Sequence, residues 1–239
     1  MRVSRTPSST YLKISEIFYS IQGEGTLLGV PSVFVRTSGC NLRCTWCDTP
    51  YTSWQPEGGE RSVRSIVNEV DGYGASHVVI TGGEPMIAPQ IEELTAELSE
   101  GLRQHVTIET AGTVDAPVRC DLMSISPKLA NSTPHTRDNG RWAGQHERLR
   151  YQPEILRRLI QLYPYQLKFV ITEPGDIEQV NAIVSEIGAA RNRVVLMPEG
   201  VDAATLAERG RWLVDIAKRE GFRMTPRMHI DLWGNRRGV

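Results

Sequence analysis

The chain predicts an α/β fold in which a parallel sheet of about six strands carries helices outside it. Three observations lead there. Short β-branched runs alternate with stretches of helical period about six times, the pattern of repeated strand–helix–strand units. Polar and glycine-rich clusters follow most of the predicted strands, and ligands bind at the C-terminal edge of such sheets. The length, 239 residues, is enough for one sizeable core.

Residues 1–12 read as a polar lead-in, with residues 13–239 as a single domain. The stretch from Ile14 through Ile21 is the first strand, ending in the loop Gln22-Gly23-Glu24-Gly25. Glycines there suit a close backbone approach to a ligand, although an ordinary turn has the same composition. Pro31 to Thr37 is the second strand. If Val33 and Val35 face one side, Arg36 shares the other with Phe34, where it either reaches solvent or meets an anion.

A loop of Pro, Gly and charge spans Pro50 to Glu60. Ser62 then opens a helix with Val63, Ile66, Val67 and Val70 on one face. His77 to Thr81 is a buried strand ending at Gly82-Gly83-Glu84-Pro85. A helix follows through Ile91, Leu94 and Leu98. Strands over Val106–Thr110 and Asp121–Ile125 come next, the second closing at Ser126-Pro127-Lys128.

Residues 130–152 are polar and irregular, as expected of a surface insertion or lid. A helix over Glu154–Tyr163 precedes the strand Gln166–Ile171, and Asp176 is placed to cap a helix running to about Ile187. Arg193–Met197 is a strand ending in Pro198-Glu199-Gly200. A long helix over about Ala203–Glu220 leads to a last strand near Phe222–Met228.

Lys and Arg total 27 against 28 for Asp and Glu, a net charge of −1. No global field therefore favours nucleic acid or an anionic membrane. The N-terminus lacks the apolar core of a secretory signal, and no run is long enough to span a bilayer. A reducing cytoplasm is the expected compartment.

Three of the four cysteines, Cys40, Cys44 and Cys47, fall in one loop after the second strand. Three thiolates can hold three irons of a cubane cluster and leave the fourth iron open to a small molecule. A structural zinc site normally has four protein ligands, and Cys120, His77 or His105 would have to supply the fourth. Disulfides fit such closely spaced cysteines less well.

The cysteine loop, with Trp46 before its last cysteine, resembles the cluster loop of radical S-adenosylmethionine enzymes, and Gly82-Gly83-Glu84-Pro85 resembles their second motif. Gln22-Gly-Glu-Gly, Gly39-Cys-Asn-Leu-Arg-Cys, Cys47-Asp-Thr, Thr81-Gly-Gly-Glu-Pro, Ile108-Glu-Thr and Ser126-Pro-Lys occur in the order seen in the 7-carboxy-7-deazaguanine synthase (QueE) family. The match spans about residues 14 to 200.

The resemblance implies a partial (β/α) barrel and a homodimer. It also implies a [4Fe-4S] cluster, S-adenosyl-L-methionine, Mg²⁺ and a flavodoxin-type reductant. The implied reaction contracts the ring of 6-carboxy-5,6,7,8-tetrahydropterin to 7-carboxy-7-deazaguanine with loss of ammonia, on the route to queuosine. Cofactors of this kind perform the difficult step while the protein orients and shields them.

Matching positions carry over residue by residue. Cys40, Cys44 and Cys47 would hold the cluster. Gly83 and Glu84 would meet the methionyl part of the cofactor, with the carboxylate on its ammonium. Trp46, Cys47 and Asp48 would lie beside it, joined by Ser126, Pro127 and Lys128 and by Met197, Pro198, Glu199 and Gly200. Ile21, Gln22, Gly23, Glu24, Arg36 and Thr81 match substrate contacts, and Arg36 gains the substrate carboxylate as its anion.

Thr49 matches a Mg²⁺ ligand, though it also suits a helix start. The chain departs from the family pattern at Ala111 and at Met197-Pro198-Glu199. His229 belongs to a loosely matching end, as a substrate contact or an exposed tail histidine. Cys120 reads as a small buried hydrophobe. A radical S-adenosylmethionine activase acting on a partner protein and a zinc-stapled binding module are the competing readings.

Overall fold

A computed structural model describes residues 11–239; most of the expected lead-in lies outside them. Its last residue does not belong there, since Leu12 is fully buried and opens strand β1 (Leu12–Ile21). β1 pairs antiparallel with β2 (Pro31–Thr37). The loop expected over Pro50–Glu60 contains a turn of helix, α1 (Pro50–Ser53), and a short strand, β3 (Gly59–Arg61), paired with β1.

The chain continues through α2 (Val63–Gly72), β4 (His77–Gly82), α3 (Ile91–Ala96), β5 (His105–Thr110) and β6 (Leu122–Ile125). Two short helices, α4 (Ala143–Leu149) and α5 (Pro153–Leu162), lead into β7 (Tyr165–Ile171). Then come α6 (Asp176–Ile187), β8 (Val194–Pro198), α7 (Ala203–Glu220), β9 (Arg223–Met224) and α8 (Met228–Trp233).

The strand order is β3-β1-β2-β4-β5-β6-β7-β8-β9. All the pairings from β2 to β9 are parallel, which makes seven parallel strands where about six were expected. The sheet's end strands do not pair with each other, so the barrel is open. The last strand keeps only two residues of the expected seven. Met228–Trp233 is helical instead, and the Met228 N–H donates to the Gly23 carbonyl at 3.0 Å.

Local chemistry explains the helix ends. Ser62 Oγ accepts from the Ser65 N–H at 3.2 Å and caps α2. Asp202 caps α7 by accepting from the Thr205 N–H at 2.9 Å, and Gly221 ends that helix at φ +69°. The cap expected at Asp176 is corrected: Gly175 holds the cap position. The Asp176 carboxylate turns back instead to the N–H of Thr172, 2.7 Å away, and to the Asn131 amide at 2.8 Å.

Period-two alternation divides the sheet into two faces. Val33, Val35, Val78, Ile80, Val106 and Ile108 belong to the large apolar core, which continues through Ile125, Leu167, Phe169 and Leu196 and takes in residues of the outer helices. The intervening positions face the concave side. Arg36 pairs with Thr81 across β2 and β4, and Glu109, Ser124 and Gln166 form a row across β5, β6 and β7. The same alternation that builds the core thus places a polar row inside.

Candidate active site

One cavity opens at the C-terminal rim of the parallel strands. Ile21, Gln22, Gly23, Glu24, Arg36, Thr81 and His229, all the expected substrate contacts, line it. So do Cys40, Cys44 and Cys47, with Trp46, Asp48 and Thr49 between and beside them. Gly83, Ser126, Lys128, Met197 and Glu199 also reach the wall.

Four expected contacts do not. Glu84 is fully buried and its carboxylate is already engaged: Oε1 accepts from Thr110 Oγ1 at 2.7 Å and the Met86 N–H at 3.1 Å, and Oε2 from the Ala111 N–H at 2.8 Å. It ties the Gly82-Gly83-Glu84-Pro85 turn to the end of β5, directly behind Thr110 and Ala111 of the cavity wall. Pro127, Pro198 and Gly200 likewise lie off the wall. Gly200 instead gives its carbonyl to Arg227 Nη1 at 2.6 Å.

Two glycines are explained by close approach. A Cβ on Gly83 would lie 2.1 Å from the Gly39 carbonyl oxygen and 2.8 Å from Cys40 Cβ, so its hydrogen lets this turn pack directly on the cysteine loop. A Cβ on Gly23 would lie 2.1 Å from His229 Nδ1. His229 is therefore seated against the first loop, inside the cavity and not on an exposed tail.

The cysteine loop is held from several sides. Burial pushes the Cys40 thiol up to about 12 and the Cys44 thiol higher still. A metal taking these sulfurs as thiolates must displace their protons. Cys120 packs against the main core and does not line the cavity, so the zinc reading loses its proposed fourth sulfur. Among the described residues, no group of three or more His, Cys, Asp or Glu gathers around a single ion position. All three thiols line the one cavity, and three is the number of protein ligands a cubane cluster takes when one iron is kept open.

Residues 130–152 brace this loop and do not hang free as a lid. The Thr45 N–H donates to the Ser132 carbonyl at 2.8 Å, and Arg137 Nη1 to the Thr45 carbonyl at 2.9 Å. Trp46 Nε1 donates to the Asn131 carbonyl at 3.1 Å. His146, in α4, accepts the Arg43 N–H at 3.1 Å, and burial pushes its imidazole down to about 4.

The same cavity holds charges that local sequence patterns do not reveal. Lys168 Nζ pairs with Glu24 Oε2, and Arg227 Nε lies 2.9 Å from Glu24 Oε1 while its Nη2 reaches Asp48. Burial alone would raise the Glu24 carboxyl. The Lys168 and Arg227 charges outweigh it and hold that carboxyl far below the ordinary carboxylate range. Lys168 had one visible signal, an ionisable residue inside a buried strand; Arg227 had none nearby.

Arg36 already has an anion within the protein. Its Nε lies 2.7 Å from Glu16 Oε1, which also accepts from Tyr51 OH at 2.9 Å. No hydrogen bond engages its two terminal nitrogens among the described residues. Phe18 and Phe34 stack at 5.1 Å beside it. Glu109 accepts from Gln22 Nε2 at 3.1 Å and from Thr81 Oγ1 at 2.8 Å, so three of the cavity's polar groups are fixed together. Thr49 starts α1 without a side-chain cap bond.

Three cysteines on one loop at the rim of an open parallel β/α sheet define the class, a radical S-adenosylmethionine fold. The Radical SAM superfamily model matches residues 34–139. A 7-carboxy-7-deazaguanine synthase from Rhodopirellula baltica is 45% identical over 97% of this chain and 90% of the relative. Another, from Halobacterium salinarum, is 46% identical over 94% of this chain and 91% of its own. The crystal structure of QueE from Escherichia coli superposes with a TM-score of 0.69 at 26% identity, covering 92% of this chain and 96% of that one.

The chain belongs to the 7-carboxy-7-deazaguanine synthase family, within the radical S-adenosylmethionine superfamily. That membership implies a [4Fe-4S] cluster and S-adenosyl-L-methionine, and the cavity's thiol set fits the first of them. No helix among the described residues is long and apolar enough to cross a membrane.

Proposed function

We propose that this cavity is where the chain carries out the synthase reaction of its family. It converts 6-carboxy-5,6,7,8-tetrahydropterin to 7-carboxy-7-deazaguanine with release of ammonia, in queuosine biosynthesis. One observation carries the assignment: the three cysteines and every residue matched to the substrate line the same cavity, although they come from well-separated parts of the chain. When bound, the cluster, reduced by an external one-electron donor, and S-adenosyl-L-methionine would together supply the radical chemistry of the ring contraction.

The chain's own residues bind and shield. Cys40, Cys44 and Cys47 would hold the cluster. Trp46, Asp48, Ser126, Lys128, Met197, Glu199 and the Gly83 backbone line the cofactor's side. Arg36, aimed by Glu16 and Tyr51, offers its two terminal nitrogens to the substrate carboxylate as a fork.

Glu24 is kept ionised by Lys168 and Arg227, and so accepts hydrogen bonds from N–H groups of the heterocycle without taking a proton. Glu109, fixed by Gln22 and Thr81, lines the same wall. Phe18 and Phe34 exclude water on one side. Thr49, whose hydroxyl makes no cap bond at the start of α1 and lies 3.8 Å from Cys47 Sγ, is the Mg²⁺ ligand; such an ion keeps several positions for water and substrate oxygens.

A single domain, a cytoplasmic homodimer and a flavodoxin-type reductant complete the reading. The test is anaerobic reconstitution with iron and sulfide, then, under dithionite as reductant, turnover of the carboxypterin that requires the cluster, S-adenosyl-L-methionine and Mg²⁺, each left out in turn. Product formation that depends on all three is expected. Turnover of the cofactor with no change in the pterin would leave the activase reading in its place.

A further inference from the structure

The segment expected to be an insertion makes more bonds to the cysteine loop than its role as a surface feature requires. Arg43, Thr45 and Trp46 each have a hydrogen bond to residues 131–146, and these residues bracket Cys44. Leu149 packs against the small apolar cluster of Leu42, Cys44 and Ala111. At the centre is His146, whose side chain is buried and makes two bonds.

Its protonation pattern follows from its partners. A backbone amide can only donate, so Nδ1, 3.1 Å from the Arg43 nitrogen, must be the acceptor. Ser132 Oγ lies 2.8 Å from Nε2 and 2.6 Å from the Leu129 carbonyl. A carbonyl can only accept, so the serine proton goes to Leu129 and Nε2 carries the hydrogen donated to Ser132. The imidazole is thus neutral and fixed in one tautomer by the donors and acceptors around it.

We propose that His146 is a positioning residue for the iron–sulfur centre. With Ser132 behind it, it fixes the Arg43 amide beside Cys44 and keeps that N–H from turning onto a cluster sulfur. The inference rests on the reading of Cys44 as a cluster ligand. Hydrogen bonds to the sulfurs are among the levers that set the potential of such centres. An amide released from His146 is a part-buried donor without an acceptor, and Arg43 directly precedes Cys44 in the chain.

The test uses the reconstituted full-length protein, reading iron content, the electron paramagnetic resonance signal of the reduced centre and its midpoint potential. His146→Leu removes the acceptor; it should lower iron retention and raise the midpoint potential of what remains. His146→Asn puts an amide oxygen close to the place of Nδ1 and should return both values most of the way to wild type. Ser132→Ala leaves the ring unheld and should raise the potential by a smaller step.

A His146→Leu protein with wild-type iron, signal and potential, altered only in melting temperature, overturns the proposal. So does a His146→Asn protein no nearer wild type than His146→Leu. If His146→Leu fails to fold, an unshifted potential in Ser132→Ala overturns it instead. Cys44→Ala, run alongside, separates the two levels: retained iron there would refute the ligand reading itself.

Discussion

The Nε of Arg227 lies 2.9 Å from Glu24 Oε1, joining two residues 203 positions apart in the chain. Lys168 takes the other oxygen of the same carboxylate, and both cations are buried. A carboxylate held by two charges from β7 and the turn before α8 is a fixed acceptor in the cavity wall, and it fastens the first loop to the last strands.

Glu24→Gln removes the charge that both cations answer. At neutral pH the loss should be about 3–5 kcal/mol, the usual cost of stranding a buried partner. The pH dependence has a definite sign. The folded-state value of Glu24 is depressed, so its contribution is complete above the ordinary value of 4.5 and drains away as pH falls below it toward the depressed value. Urea denaturation should show the gap between wild type and Glu24→Gln widest at neutral pH and narrower in acid. A gap that widens in acid would contradict the assignment.

Arg36→Ala should weaken pterin binding at least about tenfold, because removing one member of a charge-assisted pair costs about 2 kcal/mol or more. Reductive cleavage of S-adenosyl-L-methionine without pterin should continue. Measuring cofactor cleavage and pterin affinity on the same preparation distinguishes substrate recognition from a general loss of the site.

Glu84→Gln tests whether the buried carboxylate serves the fold or the cofactor. Its carboxylate serves Thr110, Met86 and Ala111, so the variant should lose about 1–3 kcal/mol of stability from one mispaired buried group. Cofactor affinity should change less than stability does. A collapse in S-adenosyl-L-methionine binding with unchanged melting would mean the carboxylate meets the ligand after all.

The cysteines give a paired prediction. Cys44→Ala should lose the cluster and all turnover, whereas Cys120→Ala, which trims a side chain packed on the outer core, should keep both and lose only a little stability. Iron analysis after reconstitution reads both outcomes.

What was legible in the sequence follows from the range of the forces involved. The strands were readable because their outward residues, such as Val33, Val78 and Leu167, repeat every second position against the helices. The cysteine loop and Gln22 to Glu24 were readable because each is a contiguous chemical unit. Arg227 and His146 were not, since each gains its meaning from partners 203 and 103 residues away. Glu84 shows the same limit: its motif suggests a ligand, while its bonds to Thr110, Ala111 and Met86 come from the fold and are not visible in the motif. Residues 130–152 look polar because they bond to a backbone loop, and a buried hydrogen-bonding surface and a solvated one have similar compositions.

The central claim is an iron centre held by Cys40, Cys44 and Cys47 with one iron free for the cofactor. Mössbauer spectroscopy of iron-labelled, anaerobically reconstituted protein tests it most directly. Adding S-adenosyl-L-methionine should make one iron of the cluster spectroscopically distinct while the others stay as they were. A spectrum that does not change on adding the cofactor, or a protein that takes up zinc and no iron, would contradict the account.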